Sequence, residues 1–202
     1  SEMTVYVDIE STIKFIALKI RNQSGRPRKM SATGYVEWVL GDSRMKTAMH
    51  IHTEIDLESR ALFAKNPYNT EFNNRVAFFD VDYLKKSYTG DRMEFIGRNG
   101  TLQNPDAMRR VKLSGKTGLA LDPCGAIQVP FFVADGEEQE IIFRLGSGRD
   151  AGEATAIAKQ FRGATIAGEA LSKVKNYWND TISALQVETP DTAINLITNG
   201  WL

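Results

Sequence analysis

The sequence predicts a mainly β protein: an antiparallel β-sandwich over residues 1–148, followed by helices over 149–202. Three observations predict it. Short runs alternate apolar and polar residues with period two, clusters of Gly, Pro, Asn and Asp separate those runs, and the period changes to a helical one after Gly148. Runs of strands that are not interleaved with helices favour antiparallel packing over a parallel α/β sheet.

The elements follow in order. "TVYVDIE" sets Val5, Val7 and Ile9 against Tyr6 and Asp8, which predicts a half-buried strand with the first three inward. "IKFIALKIRN" sets Ile16, Leu18 and Ile20 against Lys19 and Arg21. Gly25 and Pro27 then mark a turn, and "GYVEWVL" brings Val36, Trp38 and Leu40 to one face. In "AMHIHTEID", Met49, Ile51 and Ile55 oppose His50, His52 and Glu54. "RALFAKN", "RVAFFDV", "RMEFIG", "GAIQVPFFVA" and "QEIIFRL" read as further strands. Pro130 has no N–H to give to a ladder, so its strand should be an edge or bulged there. Beyond Gly148, Asp150 and Glu153 have capping-box spacing at the start of "RDAGEATAIAKQFR". Ile166, Ala170, Val174, Tyr177 and Trp178 continue at helical spacing, and Pro190 and Asp191 open a third helix that runs toward Trp201 and Leu202.

Composition excludes some classes. Lys plus Arg equals Asp plus Glu, 25 against 25, so no global field draws the chain to nucleic acid or to an anionic membrane. No apolar run approaches the ~20 residues of a membrane helix, and no signal peptide opens the sequence. Cys124 is the single cysteine, which fits a reducing cytoplasmic setting and a small buried hydrophobe.

Few motifs carry chemistry. "KLSGKTG" fails as a phosphate loop because Arg110 stands where glycine is needed. "GSGRDAGEA" departs from a dinucleotide fingerprint at Ala151 and reads as a sheet-to-helix connection. His50, His52 and Glu54 would share a face if all lay on one strand, and could then hold a metal or act as acid and base; an exposed polar face is the simpler reading, so no metal or cofactor is assigned. Two loops, "AKNPYNTEFNNRVAFFD" and "TGDRMEFIGRNGTLQNP", mix Asn, Arg, Asp and aromatic residues with turn formers. That mixture suits sugar hydroxyls and suits self-satisfied loops equally well.

These loops, with "RNQSGRPRKMSATGYVEWVLG" and "SGKTGLALDPCGAIQV", resemble the β-sandwich region of family-94 glycoside phosphorylases, formerly glycosyltransferase family 36. Within that family they resemble in particular the phosphorylase-like C-terminal region of cyclic β-1,2-glucan synthetases. The resemblance implies a supersandwich of galactose-mutarotase-like fold, then linker helices, then an (α/α)6 barrel carrying a catalytic Asp and the phosphate site. It implies that the family's sandwich begins before Thr4 and that the barrel follows "NGWL", so no residue here is assigned as catalytic. By carry-over Arg98, Asn99 and Asn104 are candidate acceptor-side substrate contacts, while Asp91 and Arg92 brace their loop as a salt-bridged pair. The implied partners are a glucan or other oligosaccharide and the barrel of the same parent chain. An open sheet edge favours a homodimer, and the parent would be cytoplasmic with attachment to the inner membrane. Two other readings stand beside this one: an autonomous carbohydrate-binding module, and a mutarotase-like enzyme using His50 or His52.

Overall fold

The computed structural model describes residues 1–184 and 186–200; the expected continuation of the third helix through Trp201 and Leu202 lies outside the described residues. Strands β1 (Glu2–Val7), β2 (Ile13–Arg21), β4 (His52–Ile55), β5 (Leu62–Lys65), β6 (Val76–Val81) and β9 (Glu138–Gly148) form one antiparallel sheet. Its order is β1-β2-β9-β6-β5-β4. Strands β3 (Arg28–Glu37), β7 (Ser87–Asp91) and β8 (Pro123–Val133) form a second sheet in the order β3-β8-β7. The short helices α1 (Arg44–Thr47) and α2 (Arg92–Ile96) lie in connections, and α3 (Ala151–Gln160), α4 (Ala164–Ile182) and α5 (Thr192–Gly200) close the chain.

The large sheet is covered on both faces, which explains why β5, β6 and β9 read as nearly continuous apolar runs. Toward the small sheet it turns Leu62, Ala64, Phe79 and Phe143, which meet Trp38, Ile127, Val129 and Phe131. Toward the helices it turns Phe15, Phe63 and Phe78, which meet Ala154, Ala158 and Phe161 of the α3 layer and Ala167 and Ala170 of α4. Strand neighbours such as Phe78 and Phe79 therefore serve different cores. Asp150 caps α3 by accepting from the Glu153 N–H at 2.8 Å, and Glu153 answers by accepting from the Arg149 N–H. The second half of α4 leaves the body, with Tyr177, Trp178 and Ile182 exposed.

Several expectations change. In β1 the inward residue is Tyr6, whose hydroxyl donates to the Ala167 carbonyl at 2.7 Å; Val5, Val7 and Ile9 are exposed. β1 is an outer strand of the large sheet, and its Met3 and Val5 are exposed although their partners Leu18 and Ile16 pack against the edge of the core between the sheets. "RMEFIG" forms helix α2 rather than a strand, because the buried Asp91 carboxylate accepts from the Met93 N–H and starts a turn. Ala48–His50 is a 3₁₀ turn, so His50 is not on the strand that carries His52 and Glu54. Pro130 lies beyond the residues of β8 that pair with β7, and there β8 is bordered by β3 alone.

Candidate functional site

A cavity of about 800 Å³ forms a groove between the segment around α1 and the loop from Asn66 to Arg75. The loop holds its shape through its own asparagines. Asn66 accepts from the Tyr68 N–H and donates to the Leu40 carbonyl, and Asn69 accepts from the amides of Glu71 and Phe72. Asparagine therefore acts here as a loop former. Gly41 faces Thr47 so closely that a Cβ would stand 2.6 Å from its methyl group, and the Thr47 hydroxyl donates to the carbonyls of Val39 and Ser43.

On this frame sits an aromatic platform. The His50 ring stacks on the Tyr68 ring with centroids 4.2 Å apart and an interplanar angle of 12°. Tyr68 is 73% exposed, and Phe72, half-exposed beside it, carries the Arg75 guanidinium 5.5 Å above its ring. Among the described residues the side chains of His50, Tyr68, Thr70, Glu71 and Arg75 have no hydrogen-bond partner, while Asp42 is engaged by Lys46 at 2.5 Å. An exposed ring face flanked by uncommitted donors and acceptors can stack on the C–H face of a sugar and bind its hydroxyls.

The second candidate loop lies on the small-sheet side. Arg92 does not pair with Asp91. It reaches Glu37 at 2.7 Å and Asp122 at 3.4 Å, and Arg44 of α1 reaches the same two carboxylates, closing a ring of four charges. Burial alone would raise the Glu37 carboxyl, but hydrogen bonds from Arg92 and Tyr35 and the nearby Arg92 and Arg44 charges hold it below its usual value. Asp91 instead takes Lys116 at 2.5 Å and caps α2. Glu94 ties the loop to Thr89, Arg110 and Ser114. Two glycines are required: at Gly97 (φ +83°) a Cβ would lie 1.9 Å from the Asp106 carboxylate, and at Gly100 it would lie 1.8 Å from the Ile96 carbonyl oxygen. From this braced base Arg98, Asn99 and Asn104 project into solvent, their side chains uncommitted among the described residues. None of them lines the groove. Helix α1 links the two regions, since Arg44 joins the charge ring while Lys46 and Thr47 line the groove.

The other candidates recede. His52 and Glu54 stand 3.9 Å apart, and Lys65 holds Glu54 at 2.8 Å. Among the described residues no cluster of His, Cys, Asp and Glu has metal-site geometry, and no helix is long and apolar enough to cross a membrane. Cys124 is fully buried, and burial, followed by the charges of Asp91, Asp122 and Glu37, pushes its thiol far above the ordinary value. The Tyr68–His50 stack and the Arg44 ring were not visible in sequence, because both join residues from separate elements. The loop's composition was the available signal.

Two antiparallel sheets packed face to face, with a helical layer on the outer face of the larger one, define the class of this chain as a layered β-sandwich domain. Residues 1–164 match the family described as "Glycosyl hydrolase 94, supersandwich domain", and the chain belongs to it. It is 37% identical over 190 residues to a cyclic beta-(1,2)-glucan synthase, NdvB, of Rhizobium meliloti (strain 1021), covering 94% of this chain and 7% of that protein. It is 26% identical over 199 residues to an N,N'-diacetylchitobiose phosphorylase of Vibrio furnissii, covering 91% of the chain and 23% of the relative. A cellobionic acid phosphorylase of Neurospora crassa is 26% identical over 209 residues, covering 100% and 26%. The chain thus spans about a quarter or less of the length of these relatives.

Proposed function

We propose that this chain is a non-catalytic supersandwich domain that binds an oligosaccharide and lines the substrate path of a glycoside phosphorylase or cyclic glucan synthase. The Tyr68–His50 platform in its 800 Å³ groove is the observation that carries this reading. The braced loop supports it: Arg98, Asn99 and Asn104 are uncommitted on a base held by ion pairs, as a rim facing a second domain would be. The catalytic partner is an (α/α)6 barrel of the same parent chain that performs inverting phosphorolysis, in which phosphate attacks the anomeric carbon and one Asp protonates the leaving oxygen. The parent works in the cytoplasm, at the inner membrane. The unpaired edge of β1, with Met3, Val5 and Val7 exposed, supports self-association.

Titration calorimetry of the chain with β-1,2-linked gluco-oligosaccharides tests the reading, with N,N'-diacetylchitobiose and cellobionate as comparisons. Submillimolar binding is expected, weakened about fivefold by Tyr68→Ala, since a stacking contact contributes about 1 kcal/mol. Absence of heat with folded protein, or equal binding by Tyr68→Ala, would overturn the site. Release of glucose 1-phosphate from glucan by the pure chain would overturn the non-catalytic assignment. The exposed platform also suits an autonomous binding module, which predicts the same affinity with and without a barrel.

A further inference from the structure

Beneath α3, one carboxylate serves three cations. Asp80 of β6 and Arg144 of β9 are directly opposed in register and both are buried, at 0% and 1% exposure. Their ion pair is 2.6 Å long; Lys86 approaches the other Asp80 oxygen at 2.5 Å, and Arg162, just past α3, stands 3.5 Å away. Arg144 also donates to the Ala158 carbonyl at 3.2 Å, Lys86 to the Val81 carbonyl at 3.0 Å, and Arg162 to the Ser59 carbonyl. Even so, the Nε–H groups of Arg144 and Arg162 are buried without an acceptor among the described residues.

Excess positive charge and unmet donors in a low-dielectric pocket are both costly. Two small cavities open beside this cluster. One, of about 170 Å³, is lined by Arg60, Asp82, Tyr83, Lys86, Tyr88 and Arg162. The other, of about 80 Å³, reaches Arg144 and shares Asp82 and Tyr83. The larger has room for several waters at ~30 Å³ each, or for one phosphate with some of them. Asp82 is the acidic residue lining it, and it is exposed.

We infer that this cavity is an oxyanion site, taking a tetrahedral anion of the inorganic phosphate class between Arg60, Lys86 and Arg162. The anion adds to the negative charge of buried Asp80 and exposed Asp82, and its oxygens accept from the arginine donors and the Tyr88 hydroxyl. Lysine and arginine are the groups that recognise such anions, arginine through its fork of donors. The site is independent of the saccharide groove, with which it shares no lining residue.

The test is thermal unfolding of the chain in chloride buffer against phosphate and sulfate at matched ionic strength. A second arm contains glucose 1-phosphate. Binding to the native state alone raises the unfolding temperature with ligand concentration. A saturable rise of several degrees at millimolar phosphate is expected, and most of it should be lost in Arg60→Gln and in Lys86→Met. Arg60 is exposed, so the first variant keeps the fold even if the second does not. A rise with inorganic phosphate assigns the free ion as occupant, and a rise with glucose 1-phosphate alone assigns a phosphate ester; either supports the site. An equal rise in chloride, or a full rise retained by folded Arg60→Gln, overturns it. The calorimetric result with oligosaccharides bears on the groove alone, so the two proposals can fail separately.

Discussion

Replacing Asp80 by Asn removes the one negative charge that Arg144, Lys86 and Arg162 share, while leaving the side-chain volume almost unchanged. The three cations are affected unequally. Lys86 and Arg162 keep 13% and 33% of their side-chain surface in solvent and can turn toward water, whereas Arg144 keeps 1% and cannot. The Asn amide would also set its own donors against the guanidinium. Removing one partner of such a buried pair costs about 3–5 kcal/mol, against a total of about 5–15 kcal/mol for a domain. With a urea slope of about 2 kcal/mol/M, the unfolding midpoint should fall by about 2 M, read by far-UV circular dichroism. Asp80→Asn combined with Arg144→Met should lose less than the sum of the single changes, because the stranded cation is gone. A midpoint within about 0.5 M of wild type for Asp80→Asn would refute the assignment of a tightly desolvated charge.

Gly34→Ala should destabilise by about 2 kcal/mol and lower the melting temperature by about 4–8 °C, since a Cβ there meets the Phe79 and Phe143 rings at 2.6–2.8 Å; calorimetry decides. Because Glu37 is held below its usual value of 4.5 in the fold, its contribution is present above that pH and is lost as pH falls through the folded value. Urea midpoints should therefore drop between pH 5 and pH 3, and less so in Glu37→Gln; an identical pH slope would remove Glu37 from the account. Cys124 should resist a thiol reagent at pH 8 in the native chain and react fully in denaturant, measured by thiol titration.

The sandwich was legible because turn formers separate its short alternating or apolar runs, a signal that survives even where β5, β6 and β9 are buried on both faces. The inversion of β1 was not legible: Val5 and Val7 have the right spacing for the interior, but no second sheet lies above them. Nor was α2, whose five residues are too few to show a helical period and whose start depends on a capping carboxylate. For the site, the Asn-rich loop could be read in advance as either self-satisfied or sugar-facing, and the structure gives Asn66 and Asn69 the first role while Tyr68 and Glu71 line the groove. Asp91 and Arg92 illustrate the limit of adjacency. Successive residues at a strand end point apart, and each found a partner 25 or more positions away.

The order of the strands has a consequence for how the chain must be made. β8 is the middle strand of the small sheet, joining β3 to β7, and β9 is the strand that joins the β1–β2 pair to β4–β6. Both seams of the sandwich therefore wait for two late consecutive strands between Pro123 and Gly148, one for each sheet. Until they are synthesised, a nascent chain holds only the β1–β2 pair and the β4–β6 set with open edges, and joining these requires contacts more than 100 residues apart, as between β2 and β9. Slow closure of the sandwich follows from that topology.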